Sequence, residues 1–425
     1  MLARILYSAV FYLLLPLVLL RLLWRARKAP AYARRWSERF GFVRPLPAPQ
    51  RPRVWVHAVS VGETLAALPL MHRLLDLDYE LVVTTTTPTG SERVRAALGD
   101  SVWHSYAPYD LPDCLGRFLR RSRPQLAIIM ETELWPNTIA ACAARGVPVL
   151  VANARLSEKS ARGYARFDAL SRQMLQQVSC IAAQHSADGE RFRSLGLAPE
   201  RLVITGNIKF DLTLSDALRQ QSELVRRRWQ QAGERQVLLA ASTHAGEDEL
   251  LLQAYRELQG EFPQLLLVLV PRHPERFESV AQLAAREFVV ARHSSGSAIA
   301  AATQVVIGDT MGELMALLGA SDLVFMGGTL VANGGHNFIE PAAWGKPIIS
   351  GDSLYNFAEV SRLLAEAQGL LVVRDVAGLT GLIRELLQSP QRRQQVGEAA
   401  RAVAEANRGA LQRLLQEVEL LLPRS

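Results

Sequence analysis

Short apolar runs rich in β-branched residues alternate with amphipathic stretches along most of this chain. That alternation predicts parallel sheets wound with helices. In the first half the expected strands are Val54–Ser60, Leu81–Thr86, Val102–Tyr106, Leu126–Met130, Val147–Ala152, Cys180–Ala183 and Leu202–Thr205, with helical patterns such as Glu63–Leu75, Glu92–Leu98 and Thr138–Ala144 between them. The pattern lapses over Asp211–Arg235, which is polar, charged and helical in propensity, so residues 213–235 are expected to connect two domains. It resumes with Val237–Ala241, Leu265–Val270, Phe288–Ala291, Val305–Ile307, Leu323–Phe325, Pro347–Ser350 and Leu370–Val373. Two wound sheets in succession predict an α/β protein with two Rossmann-like lobes, at 51–212 and 236–398. Ligands of such sheets bind beyond the carboxyl ends of the strands, and the active site is expected in a cleft between the lobes. The stretch Ala399–Leu422 reads as one long amphipathic helix crossing back onto the first lobe, within a terminal segment 399–425.

The N-terminus breaks this pattern. Residues Ile5 to Leu20 are almost wholly apolar, and Leu22, Leu23 and Trp24 extend the run past Arg21. Such a stretch is long enough to span or enter a bilayer, so residues 1–24 are expected to be a membrane anchor. Only Arg4 precedes the run, which argues against a cleavable signal peptide. Length favours a span, while Pro16 and the embedded Arg21 keep an interfacial helix as its competitor.

Charge sharpens the picture. From Arg21 to Arg53 there are ten basic residues and a single acid, Glu38, an excess larger than the whole-chain charge of +7. The basic segment 25–50 therefore reads as a juxtamembrane collar that places the bulk of the protein in the cytoplasm. Nucleic acid is not an expected partner, because its grooves usually spread over a folded surface with interleaved aromatics. The 49% hydrophobic content can build two cores. Cys114, Cys142 and Cys180 are odd in number and lack metal-ligand spacing, so they read as buried thiols in a reducing compartment.

Two Rossmann-like lobes fit many functions, so the loops must decide. There is no GxGxxG after the first strand and no Walker motif, which lowers hydride transfer and P-loop phosphoryl transfer. Glu63 lies in HAVSVGET, where the first strand becomes the first helix; it is either a plain N-terminal acid or the base that a sugar hydroxyl acceptor needs. METELWPN puts Glu131 and Glu133 at the same edge, with helix capping by Thr132 and Glu133 as the alternative. Lys209 in GNIKFD can meet a phosphate as a point charge or be merely solvated. In the second lobe, Arg272 of PRHPERF can fork onto phosphate or carboxylate, or sit as surface charge on a proline-stiffened loop. GDTMGEL is a strand-to-helix turn with a cap-like Asp309-Thr310 pair. MGGT followed by GGHNFIEP suggests a loop whose backbone can approach a nucleotide, with Glu340 accepting from ribose hydroxyls; His336 taken singly reads as structural.

The strings RKAPAYARRWSERFGF, HAVSVGETLAA, TPTGSERV, METELWPN, VANARLS, GNIKFD, LVPRHPERF, GDTMGEL and GGHNFIEP, in this order, resemble the 3-deoxy-D-manno-octulosonic acid (Kdo) transferases of Gram-negative bacteria. The resemblance runs from the anchor to the last helix. It implies an inverting glycosyltransferase of the GT-B type that needs no metal or cofactor, with CMP-Kdo as donor and the lipid A precursor as acceptor. It further implies Glu63 as catalytic base and Glu131 and Lys209 as transition-state stabilisers. CMP-Kdo would be held by Pro271, Arg272, Met311, Gly312, Glu313, Asn337, Phe338, Ile339 and Glu340; Phe338 and Ile339 stand where some relatives have Pro-Leu. The rivals are another two-lobed nucleotide-sugar transferase and a non-catalytic membrane module that senses a nucleotide.

Overall fold

The computed structural model describes residues 2–231 and 233–422. The chain divides into two compact units, Met1–Asp211 with Arg408–Ser425, and Leu212–Asn407.

The first unit is built on seven parallel strands: β1 (Arg53–His57), β2 (Glu80–Thr85), β3 (Trp103–Tyr106), β4 (Leu126–Met130), β5 (Val149–Ala154), β6 (Cys180–Ala183) and β7 (Leu202–Ile204), in the order β3-β2-β1-β4-β5-β6-β7. Alternate residues of each strand serve opposite faces, so the continuous apolar runs feed two cores. Val54, Val56 and Ile128 join one with Leu70 and Leu74, while Trp55 and Ile129 join the other with Phe118 and Ile181.

The second unit repeats the plan with β8 (Val237–Thr243), β9 (Leu266–Pro271), β10 (Val290–Arg292), β11 (Val305–Ile307), β12 (Leu323–Met326), β13 (Ile348–Ser350) and β14 (Leu370–Val372). Its order is β10-β11-β9-β8-β12-β13-β14, again all parallel.

Two expectations are corrected. The stretch 213–235, expected to join the domains, forms the helix Asp216–Gln230 that its propensity suggests, but this helix belongs to the second unit and buries Ser222, Val225 and Trp229. Arg226 forks onto the Asp322 carboxylate at 2.7 and 3.2 Å. The long terminal helix is likewise two. Pro390–Ala406 ends in the second unit, Gly409 turns with φ of +93°, and Ala410–Leu421 belongs to the first unit. There Leu414, Leu415 and Val418 complete a core of the first sheet, and the Asp211 carboxylate accepts from the amides of Gly409 and Leu411.

At the N-terminus, Leu2–Lys28 is a single helix with Pro16 inside. By length and composition it could cross a membrane, with a mean hydropathy of 2.1.

Candidate active site

In a doubly wound sheet the crevice opens where strand order reverses, which in the first unit is between β1 and β4. Glu63 stands on the first turn of the helix Val61–Asp76, directly after β1. Its backbone amide donates to Ser60 Oγ at 3.2 Å, and its carboxylate accepts from the Ser60 hydroxyl and the Val59 amide, both at 2.9 Å. This reciprocal clasp fixes the side chain, which is only 9% exposed. Burial pushes its carboxyl up to about 7, partly offset by the bonds from Val59 and Ser60 and reinforced by Glu133 and Glu131. The capping role is therefore real, and it delivers a carboxyl that changes charge near neutrality.

Glu131 follows β4 in the left-handed region, with φ of +54°. A non-glycine residue held there carries about 1 kcal/mol of strain, which the surrounding structure must impose. The backbone twist aims its carboxylate at Lys209 Nζ, 3.2 Å away, with Arg155 Nε at 3.4 Å on the other oxygen. Lys209 sits on the 3₁₀ turn Ile208–Asp211 after β7. Two asparagines set that turn: Asn153 Oδ1 accepts from the Ile208 amide and Asn207 Oδ1 from that of Lys209, each at 3.0 Å. Asn153 is itself at φ of +54°, where the β5–β6 register shifts. Three segments far apart in sequence thus converge on one edge, bringing Glu63, Glu131 and Lys209 into electrostatic reach.

The alternative reading of METELWPN is not what is observed. The helix Pro136–Ala143 has no side-chain cap from its own strand of sequence. Instead the buried Asp110 carboxylate accepts from the amides of Asn137 and Thr138 at 3.0 and 2.7 Å. Glu133 accepts from Trp135 Nε1 at 2.8 Å, and burial raises its carboxyl.

In the second unit strand order reverses between β8 and β12, and the loops after β11, β9, β8 and β12 lie side by side. Pro271 closes β9 and the exposed Arg272 follows it, its amide bonded to Thr243 O at 3.0 Å. Asn337 Nδ2 donates to Glu340 at 3.0 Å while its Oδ1 accepts from Ile339 N at 3.2 Å. Phe338 and Ile339 are fully buried, so they shape the loop from beneath. Burial raises the Glu340 carboxyl, opposed by Asn337 and the Arg272 charge. Met311 is well exposed, Gly312 has φ of +87°, and Glu313 pairs with His293 at 3.3 Å.

Two features of this edge differ from expectation. Asp309 caps no helix: it accepts from the amide and hydroxyl of Ser294 at 2.8 and 2.7 Å, and the helix begins only at Leu314. The glycine pair is required internally. A Cβ on Gly327 would stand 2.4 Å from the Ser242 carbonyl, where β8 bulges with φ of +58°. The amides of Gly328, Thr329 and Leu330 point to the fully buried Glu247 carboxylate at 2.7, 2.9 and 3.0 Å, and His244 N adds a fourth bond at 2.9 Å. Those amides are occupied, leaving side chains to meet a ligand.

Sequence reasoning missed Glu247, whose only signal is its place at a helix start in AGEDE. It also missed the partner of His336. The Nε2 atoms of His244 and His336 lie 2.8 Å apart with nearly parallel rings, and His273 stands edge-on to His244. One imidazole must donate and the other accept. Burial, with Arg272 and the other two imidazoles, holds His336 down to about 4. Among the described residues no group of three or more His, Cys, Asp or Glu is arranged to hold a metal ion.

Comparison with known proteins agrees with this architecture. Residues 34–212 match the family model "3-Deoxy-D-manno-octulosonic-acid transferase (kdotransferase)", and residues 243–403 match "Glycosyl transferases group 1". A 3-deoxy-D-manno-octulosonic acid transferase of Haemophilus influenzae is 45% identical over 99% of both chains. One of Bordetella pertussis is 37% identical over 93% of this chain and 95% of its own. The crystal structure of UDP-GlcNAc 2-epimerase from Neisseria meningitidis, at 13% identity, superposes with a TM-score of 0.62 over 86% of this chain and 99% of its own, a likeness of fold alone. The fold is GT-B-like, with two Rossmann-like domains, and the chain belongs to the Kdo transferase family of glycosyltransferases.

Proposed function

We propose that the chain transfers Kdo from CMP-Kdo to a hydroxyl of the lipid A precursor, a phosphorylated and acylated glucosamine disaccharide, at the cytoplasmic face of the inner membrane. The observation that carries this reading is the Glu63 carboxyl, clasped by Ser60 and Val59 and raised to about 7, beside the Lys209–Glu131 pair. A base poised near neutrality can take the acceptor's proton as its oxygen attacks the anomeric carbon. CMP leaves from the opposite face, so the configuration inverts in a single displacement. Lys209, positioned by Glu131, offsets negative charge as it develops. On the second unit Arg272, Met311 to Glu313 and Asn337 to Glu340 hold the donor's nucleotide. The leaving group carries one phosphate, which a lysine, an arginine and polar side chains can stabilise. The reading requires both edges to serve one substrate pair across a cleft.

Incubation of the full chain in detergent with CMP-Kdo and a tetra-acylated disaccharide diphosphate should give a product heavier by one or more Kdo units, and NMR should find its anomeric configuration inverted. Transfer from UDP-sugars instead, or CMP binding with no product, would overturn the proposal.

A further inference from the structure

The helix Leu2–Lys28 carries two faces along its whole length. Residues 3, 4, 7, 8, 11, 15, 18, 19, 22 and 26 are partly or fully covered, a spacing of three and four that marks one side of a helix. The other side is an exposed apolar stripe that includes Leu2, Leu6, Leu13, Leu17, Leu20 and Trp24.

The covered face is docked by polar side chains near its start. Ser8 Oγ lies 2.9 Å from Asn137 Nδ2, whose amide group also donates to Asp110 O at 2.8 Å. The Tyr12 hydroxyl donates to Asp113 at 2.6 Å. The Phe11 ring meets that of Tyr109 at 6.3 Å. Beyond its end, Arg35 donates to Ser91 at 3.0 Å, and Arg35 and Arg39 both lie on the Tyr106 ring. Asn137, Asp113, Ser91 and Tyr106 all belong to the first unit, so the start of the helix and the chain just beyond its end are both tied to one folded body.

A spanning helix cannot satisfy both ties. From Ser8 to Lys28 the helix rises about 30 Å, the thickness of a bilayer's hydrocarbon core. If it crossed, Ser8 would stand on the far side from the collar and from the unit that bonds it. We infer that this helix is an in-plane anchor: it lies on the first unit with its apolar stripe in the acyl chains of the cytoplasmic leaflet, and neither end crosses. The collar of ten basic residues to one acid, starting on this helix, supplies the charge that anionic headgroups require. The polar contacts of Ser8 and Tyr12, which hydrocarbon would leave unmatched, stay on the protein side. The inference rests on the membrane association proposed above and corrects the preference for a span that length alone suggests.

The test uses the full chain in a Gram-negative host, where the native thiols Cys114, Cys142 and Cys180 are buried and leave the background low. An Arg4→Cys variant, on the polar side of the helix near its start, should react with a membrane-impermeant maleimide in inverted inner-membrane vesicles and not in intact spheroplasts. Paired Ser8→Cys and Asn137→Cys in the same vesicles should be joined by a short bismaleimide, giving a mobility shift in most molecules and none in either single variant. Labelling from the outside of spheroplasts, or loss of the cross-link in membranes with the folded enzyme still active, would overturn the in-plane anchor while leaving membrane association intact. Recovery of the active protein in the soluble fraction without detergent would instead remove the membrane reading itself.

Discussion

The two sheets reverse strand order in the same manner, yet their carboxyl edges are furnished for different work. The first holds three carboxyls, Glu63, Glu131 and Glu133, around one lysine. Their mutual repulsion, added to burial, keeps a proton within reach of neutral pH. The second holds Arg272 and three imidazoles above a glycine loop whose amides are already satisfied by Glu247. On the proposed function, one edge moves a proton and the other grips an anion. The lesson is that a shared topology places the crevice, while the choice of buried acid decides its use: at Glu63 a carboxyl left short of donors, at Glu247 one given four.

Glu63→Gln should sharpen this contrast most. Turnover should fall about 10²- to 10⁴-fold while CMP affinity, measured by calorimetry, stays within a few-fold; near-normal turnover would dissolve the distinction between the edges. The pH profile offers a second view of the same group. With its carboxyl near 7, kcat/KM should rise about tenfold per unit below that value and level off above it, and the rise should vanish in Glu63→Gln. The stability sign is opposite. A folded-state value above the ordinary 4.5 means the native protein binds the proton more tightly, so this group's contribution to stability declines as pH climbs from about 4.5 to about 7.

If the charge of Lys209 acts where negative charge develops, as proposed, Lys209→Ala should lower kcat by about 10²-fold with little change in donor KM. An effect confined to KM would move Lys209 to the gripping side of the comparison. Glu247→Ala should act on the other edge alone. Removing the acceptor of four amides should cost about 3 kcal/mol in urea unfolding and raise donor KM about tenfold, with kcat at saturating donor kept within a few-fold. A variant that unfolds normally would show that the loop does not depend on this carboxylate.

Much of this was legible in the chain. Each of the fourteen described strands lies within a few residues of a β-rich apolar run, and the central ones, buried on both faces, read as unbroken hydrophobic stretches. The turns bearing Glu63 and Glu131 follow from strand ends. What the sequence could not display were contacts made at a distance. Asp110 caps a helix from another loop, Asn153 sets the turn of Lys209, and Ser242 forces Gly327 to be bare. No local spacing encodes these. The break at Gly409 was obscured because one glycine in an amphipathic run is weak punctuation. Hydropathy likewise registered how long the first helix is and not which of its polar residues find partners.

The terminal helix Ala410–Leu421 has a bearing on biosynthesis. Translation delivers it after the whole of the second unit, although Leu414 and Val418 belong beneath the first sheet. While the ribosome works through some two hundred intervening residues, the nascent chain carries an unsealed apolar surface, so the half made earliest matures last.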